Sequence, residues 1–142
     1  KPCDFYSNDS IVYKEYDNWT PANADRKYGG VYSVQGALIN SVNTVSVQLM
    51  MEAGIKPTIK FAKNLGFKDS LPGVPSLALG AASTSVLNLA EIYTAYSNKG
   101  TKKSSSALIR IEDNNGNLLE QFSEKTKSKK VNIFLFKIFL II

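Results

Sequence analysis

Glycine and proline punctuate the middle of this 142-residue chain, with Gly54, Pro57, Gly66, Pro72, Gly73, Pro75 and Gly100 marking where helices start or stop and where a loop runs. From Ser33, Val34, Ala37, Leu38, Val42, Val45 and Leu49 recur at spacings of three and four, the period of a helix with one apolar face. Ser33 suits the N-cap, and Gly54 suits a left-handed stop. The polar run Asn40-Ser41-Val42-Asn43-Thr44 interrupts the pattern, so two helices joined by a turn are expected. Pro57 fits the first position of another short helix, which Gly66 ends. Residues 67–80, with Pro72, Gly73 and Pro75, read as loop. Ser83-Thr84-Ser85 offers N-caps for a helix through Leu87, Leu89, Ala90, Tyr93 and Tyr96, closed by Gly100.

The flanks differ in kind. Residues 1–30 are rich in Tyr, Asn, Asp and Pro and read as loop with a short strand at 11–13. Residues 107–112 and 118–122 flank Asn114-Asn115-Gly116, a hairpin signal. Residues 123–130 form a Ser/Lys-rich spacer, and 131–142 are apolar apart from Asn132 and Lys137. Twelve residues are too few to span a bilayer as a helix. The segment reads as foreign to the rest of the domain, with a membrane-surface anchor as the second reading.

Composition excludes several chemistries. There is no histidine, so a Ser-His-Asp or Cys-His relay cannot be built, and zinc sites lose their commonest ligand. Proton transfer near neutral pH falls to Lys, Tyr or a carboxylate with a shifted pKa. Cys3 stands alone, which rules out an intrachain disulfide. The net charge of +5 lies mostly in the tail: five Lys and one Glu from residue 123 onward give +4, which leaves +1 for residues 1–122. A near-neutral body argues against a nucleic-acid groove.

Ser41-Val42-Asn43 is a Ser-x-Asn at the expected break between two helices. Three residues alone carry little information, and a purely structural reading has Asn43 and Thr44 capping the second helix. The surroundings add specificity. Trp19-Thr20-Pro21-Ala22-Asn23, Tyr28-Gly29-Gly30 and Ala37-Leu38-Ile39-Asn40-Ser41-Val42-Asn43 precede Pro75-Ser76-Leu77-Ala78-Leu79-Gly80 in order. Then come Leu87-Asn88-Leu89-Ala90-Glu91-Ile92-Tyr93-Thr94-Ala95-Tyr96-Ser97-Asn98-Lys99-Gly100 and an Ile-x-Asp-x-x-Gly-like hairpin in residues 109–118. This succession resembles the transpeptidase domain of class A (bifunctional) penicillin-binding proteins, over residues 19–122.

The resemblance implies a mixed α/β fold, the helix-rich middle of the penicillin-binding and β-lactamase-like serine transpeptidase architecture. Residues 1–122 would form part of that domain, and 123–142 have no family counterpart. It implies acyl transfer, in which a serine attacks the D-Ala-D-Ala carbonyl of a peptidoglycan stem peptide and β-lactams act as look-alikes. Ser41 would be a proton relay and Asn43 would fix the peptide; neither forms the covalent bond. No cofactor or metal is implied, nor a nucleic-acid partner. Membrane contact would come only through an anchor elsewhere in the parent protein, whose domain works on the outer face of the cytoplasmic membrane.

The family also uses S-x-x-K, which carries the nucleophile, and K-T-G. Neither occurs in this sequence; Lys125-Thr126-Lys127 lacks the glycine. The chain is therefore expected to be inactive alone, as an internal fragment. The other reading is a non-catalytic binding or scaffold module derived from the same fold. The Pro75–Gly80 segment and the Trp19–Asn23 segment favour the class A transpeptidases over β-lactamases and carboxypeptidases.

Overall fold

The computed structural model describes residues 1–122 and the backbone of 129–130. The expectations for the spacer and the apolar run therefore lie, apart from that backbone, outside the described residues. Four helices follow an N-terminal β-pair. β1 (Phe5–Ser7) pairs antiparallel with β2 (Val31–Ser33), and the helices are α1 (Val34–Ile39), α2 (Asn43–Ala53), α3 (Ile55–Leu65) and α4 (Val86–Ser97). β3 (Thr101–Lys102) pairs antiparallel with β6 (Lys129–Lys130), and β4 (Arg110–Glu112) pairs antiparallel with β5 (Leu118–Gln121) in a hairpin. The fold is a helix-rich α/β arrangement with only two-stranded sheets among the described residues.

The breaks fall where backbone chemistry puts them. Ser33 caps α1 by accepting the Gly36 N–H at 3.0 Å, and α1 stops at Ile39, so the 34–49 periodicity is carried by two helices. Gly54 departs from the expected left-handed stop. Its φ of 84° and ψ of 129° pass the chain straight from α2 into α3, whose first residue is Ile55. Pro57 is thus the third residue of α3 rather than the first, still within the turn whose N–H groups lack intrahelical acceptors. A Cβ on Gly54 would lie 3.1 Å from the Pro57 ring, so the glycine also makes room for the proline.

Two expectations are corrected. Residues 11–13 form no strand; Tyr13 makes an isolated bridge to Trp19, and the strand of this region is β1, fixed by pairing with β2. The 67–80 stretch is not all loop, because Pro75–Leu79 winds into a 3-10 helix. Its Leu77 and Ala78 are buried against Val47, Met50 and Ile55.

α4 forms as expected, yet the residues that mark it as a helix are not those it buries. Val86, Leu87, Leu89 and Tyr93 are exposed, whereas Asn88 and Glu91 are buried beside Ile92 and Ala95. Ile92 and Ala95 pack on Phe61, Ala62, Leu65 and Phe67 of α3 and its C-terminal turn. The polar pair holds chain rather than ligand. Asn88 donates to the Gly66 carbonyl at 2.9 Å and accepts from the Lys68 N–H and the Thr84 hydroxyl, both at 3.1 Å. Glu91 accepts from the Ser105 N–H at 3.0 Å and its hydroxyl at 2.8 Å, with the Lys68 and Lys102 ammoniums at 3.5 and 3.6 Å. Lys102 reaches that position across Gly66, where a Cβ would sit 2.1 Å from its Nζ.

These donors hold the Glu91 carboxyl down to about 2, with the Ser105 backbone and hydroxyl bonds as the largest causes and the two lysines adding to them. A carboxyl whose folded pKa is depressed stabilises the fold above its ordinary value and loses that contribution as protons bind. Acid unfolding should therefore include a step as pH falls from about 4.5 toward about 2. The variant Glu91→Gln should be less stable by about 2 kcal/mol at pH 7. The difference from the parent should shrink to near zero by about pH 2, and chemical denaturation across that pH range measures it.

Candidate active site

Ser41 lies on the turn between α1 and α2 and Asn43 opens α2; the turn is closed by backbone bonds from Ser41 N to Leu38 O (3.2 Å) and from Val42 N to Ala37 O (2.9 Å). Ser41 is exposed and has a φ of 51°, the left-handed region that costs an L-residue roughly 1–2 kcal/mol. Such strain persists only where the surroundings over-determine it. Here they do, because Val42 is buried with Ala37 and Val45 in a small core that also takes Tyr6, Tyr32 and Leu49.

Val42 is the N-cap of α2 and has no side-chain oxygen to offer. Asn23, twenty-one residues before Thr44, supplies the missing acceptor: its Oδ1 takes the Thr44 N–H at 3.2 Å. The same amide donates to Asn8 Oδ1 at 2.7 Å and to the Lys27 carbonyl at 2.8 Å. Asn8 Oδ1 also accepts the Thr44 hydroxyl at 2.7 Å, and Asn8 Nδ2 donates to the Lys27 and Gly29 carbonyls at 3.3 Å. Asn8, Asn23 and Thr44 are all buried. Among the described residues, no buried side-chain nitrogen or oxygen lacks a hydrogen-bond partner.

Asn43 is the first residue of α2 and does not cap it; its Nδ2 donates to the Ala22 carbonyl at 2.7 Å. That bond uses one donor of an amide that carries two donors and a carbonyl acceptor. Ser41, Asn43 and the Trp19–Asn23 segment therefore form one unit, with the hydroxyl exposed and the amide fixed beside it. The sequence reading selected Ser41, Asn43 and the segment that braces them. It missed Asn8, whose only mark in the sequence is a turn-like Asn8-Asp9. An open depression at the hairpin root is lined by Ala107, Leu108, Ile109, Arg110 and Gln121, none of which belongs to this unit.

Over 104 residues the sequence is 36% identical to penicillin-binding protein 1A of Neisseria meningitidis, covering 72% of this chain and 13% of that protein. The crystal structure of penicillin-binding protein 1A from Haemophilus influenzae matches 89% of this chain and 19% of its own, with a TM-score of 0.79 and 29% identity. The chain belongs to the class A penicillin-binding proteins. As a stretch of such a penicillin-binding protein, it spans about an eighth of the length of the curated relatives it matches. The D,D-transpeptidase domain of a peptidoglycan glycosyltransferase from Eggerthella lenta shares the fold, with a TM-score of 0.70 at 18% identity over 99% of this chain and 41% of that one. No protein-family model matches the chain.

Three substitutions test the bracing of the turn. Asn23→Ala removes the acceptor of α2 and two buried donors, and should cost about 2 kcal/mol. Combined with Asn8→Ala its effect should be strongly non-additive, since both act on one network, and a double-mutant cycle in denaturant reads this. Ser41→Gly should instead stabilise by roughly 0.5 kcal/mol, because glycine meets the positive φ without strain. A lower melting temperature for Ser41→Gly would contradict that account of the turn.

Proposed function

We propose that this chain is part of a peptidoglycan D,D-transpeptidase, an enzyme that cross-links stem peptides by serine acyl transfer and is acylated by penicillin. Residues 1–122 supply one part of the transpeptidase domain and residues 123–142 lie outside it. The observation that carries the reading is the 41–43 turn, strained at Ser41 and braced by the Trp19–Asn23 segment, in a chain whose relatives are penicillin-binding proteins.

Ser41 acts as the proton relay. A hydroxyl donates and accepts at once, so it can pass a proton between a lysine amine and the leaving nitrogen of the D-Ala-D-Ala bond. Asn43 positions the stem peptide with the amide groups left over from its bond to Ala22. The nucleophile and its lysine come from an S-x-x-K segment and the far wall of the cleft from K-T-G, and neither sequence occurs among these 142 residues. By themselves the 142 residues are inactive. The substrate side is the D-Ala-D-Ala stem peptide or a β-lactam, and the working location is the outer face of the cytoplasmic membrane.

The exposed apolar faces agree with this assignment. Val86, Leu87, Leu89 and Tyr93 on α4, and Leu108, Ile109, Leu118 and Leu119 on the hairpin, leave two surfaces open that a larger sheet in the parent domain would cover.

Fluorescent penicillin should label the protein extended to include S-x-x-K and K-T-G, and should leave the 142-residue chain unlabelled. In the extended protein, Ser41→Ala should slow acylation on the order of 10²–10⁴-fold, the range of a lost proton-transfer group. Asn43→Ala should weaken it through positioning. Labelling of the short chain would overturn the assignment of roles. An extended protein that binds peptidoglycan and never acylates would establish the scaffold reading instead.

A further inference from the structure

The Trp19–Asn23 segment is held firmly on either side of Ala22. Trp19 packs on the cluster that includes Val47, Met50 and Leu77. Its N–H donates to the Tyr16 carbonyl and its carbonyl accepts the Tyr13 N–H, each at 2.9 Å. Pro21 is fully buried, and Asn23 is buried in the network with Asn8 and Thr44. Ala22 between them is exposed, and its carbonyl accepts the Asn43 Nδ2–H at 2.7 Å.

That carbonyl has little freedom to move. It shares a rigid peptide plane with the N–H of Asn23, whose side chain is fixed by three hydrogen bonds. On the other side, the proline ring locks φ at residue 21. A carbonyl accepts and cannot donate, so it distinguishes the two ends of the Asn43 amide. With Nδ2 facing it there is a bond; with Oδ1 facing it, two acceptors would meet. Once Nδ2 is committed, Oδ1 and the second N–H keep defined places. One acceptor and one donor match the N–H and C=O of a peptide backbone.

We propose that Pro21, Ala22 and Asn23 form a positioning element for acyl transfer. They hold the Ala22 carbonyl against Asn43 and so fix which end of its amide meets the stem peptide or β-lactam. They act through Asn43 and need no contact with substrate. This assignment rests on the transpeptidase reading, which gives Asn43 its role. An amide released from the carbonyl would sample both orientations and present the wrong group part of the time. The effect therefore falls on the rate of acylation.

The test uses the full parent penicillin-binding protein and fluorescent penicillin, with two quantities read from one time course. These are the acylation rate constant and the final fraction labelled. Loss of fold lowers the fraction labelled, whereas loss of positioning slows the molecules that do label. Pro21→Ala frees the backbone at residue 21. Ala22→Gly loosens the same peptide from an exposed position and leaves the packed core untouched. Each should lower the rate constant about tenfold, within the roughly hundredfold that a displacement of about 1 Å can cost, with the fraction labelled unchanged. Added to Asn43→Ala, neither should lower it further, because the group they orient is gone. Three results overturn the inference while the transpeptidase reading stands: unchanged rate constants in both variants, a fall confined to the fraction labelled, or an undiminished fall in the Asn43→Ala background. A parent protein that penicillin never acylates overturns the reading and the inference with it.

Discussion

A single asparagine amide organises the half of this molecule that carries the candidate site. The N-cap of α2 is a buried valine, which cannot satisfy the first N–H groups of the helix. Asn23 lends the acceptor from another segment, and the rest of that amide is spent on Asn8 and the Lys27 carbonyl. The arrangement frees position 42 to be apolar and to anchor the turn in the Ala37–Val45 core. A local Ser or Asp cap at 42 would hold the helix equally well, but it would remove the hydrophobic peg that forces Ser41 into a left-handed conformation. Burying a hydrogen-bonded network of this kind is stabilising only when every member is satisfied, and here the described members are.

A similar principle operates at the other end. α4 buries Asn88 and Glu91, which stitch the end of α3 and the segment 102–105 to its flank. Apolar packing of Ile92 and Ala95 on α3 sets the distance between helices, while the polar pair sets their register. Hydrophobic contact is non-directional, so residues that must hold a neighbouring chain at one rotation are better polar. The cost is that Glu91 is committed as an anion, held between Lys68 and Lys102.

Much of this was legible in the sequence, for identifiable reasons. Ser33, Ser85 and Gly66 mark helix ends through local hydrogen bonding or a positive φ, and each does what its chemistry predicts. The Asn114-Asn115-Gly116 turn appears as a hairpin, with Asp113 accepting the Asn115 and Asn117 N–H groups. What was hidden depends on partners far along the chain. β1 exists because Val31–Ser33 lies opposite it, and nothing in Phe5-Tyr6-Ser7 alone requires a strand. The inward face of α4 was hidden because its period reports where apolar residues recur, and these face outward in this chain. Ser41 and Asn43 were visible through their resemblance to family motifs, whereas Asn8 has no signal of its own, since an Asn beside an Asp reads as a turn.

The order of these dependencies bears on how the site would assemble. The Ser41 turn is made of short-range bonds, Leu38 to Ser41 and Ala37 to Val42, and could form early with α1 and α2. Its brace spans separations of twenty-one and thirty-six residues, Asn23 to Thr44 and Asn8 to Thr44, and loop closure of that length must precede any gain from the bonds. Until those bonds form, the Thr44 N–H and hydroxyl at the start of α2 lack their partners. The start of α2, beside the exposed Ser41, is thus held by residues far along the chain rather than by its own turn. A pattern of three residues can mark such a site, but its geometry belongs to the whole N-terminal half.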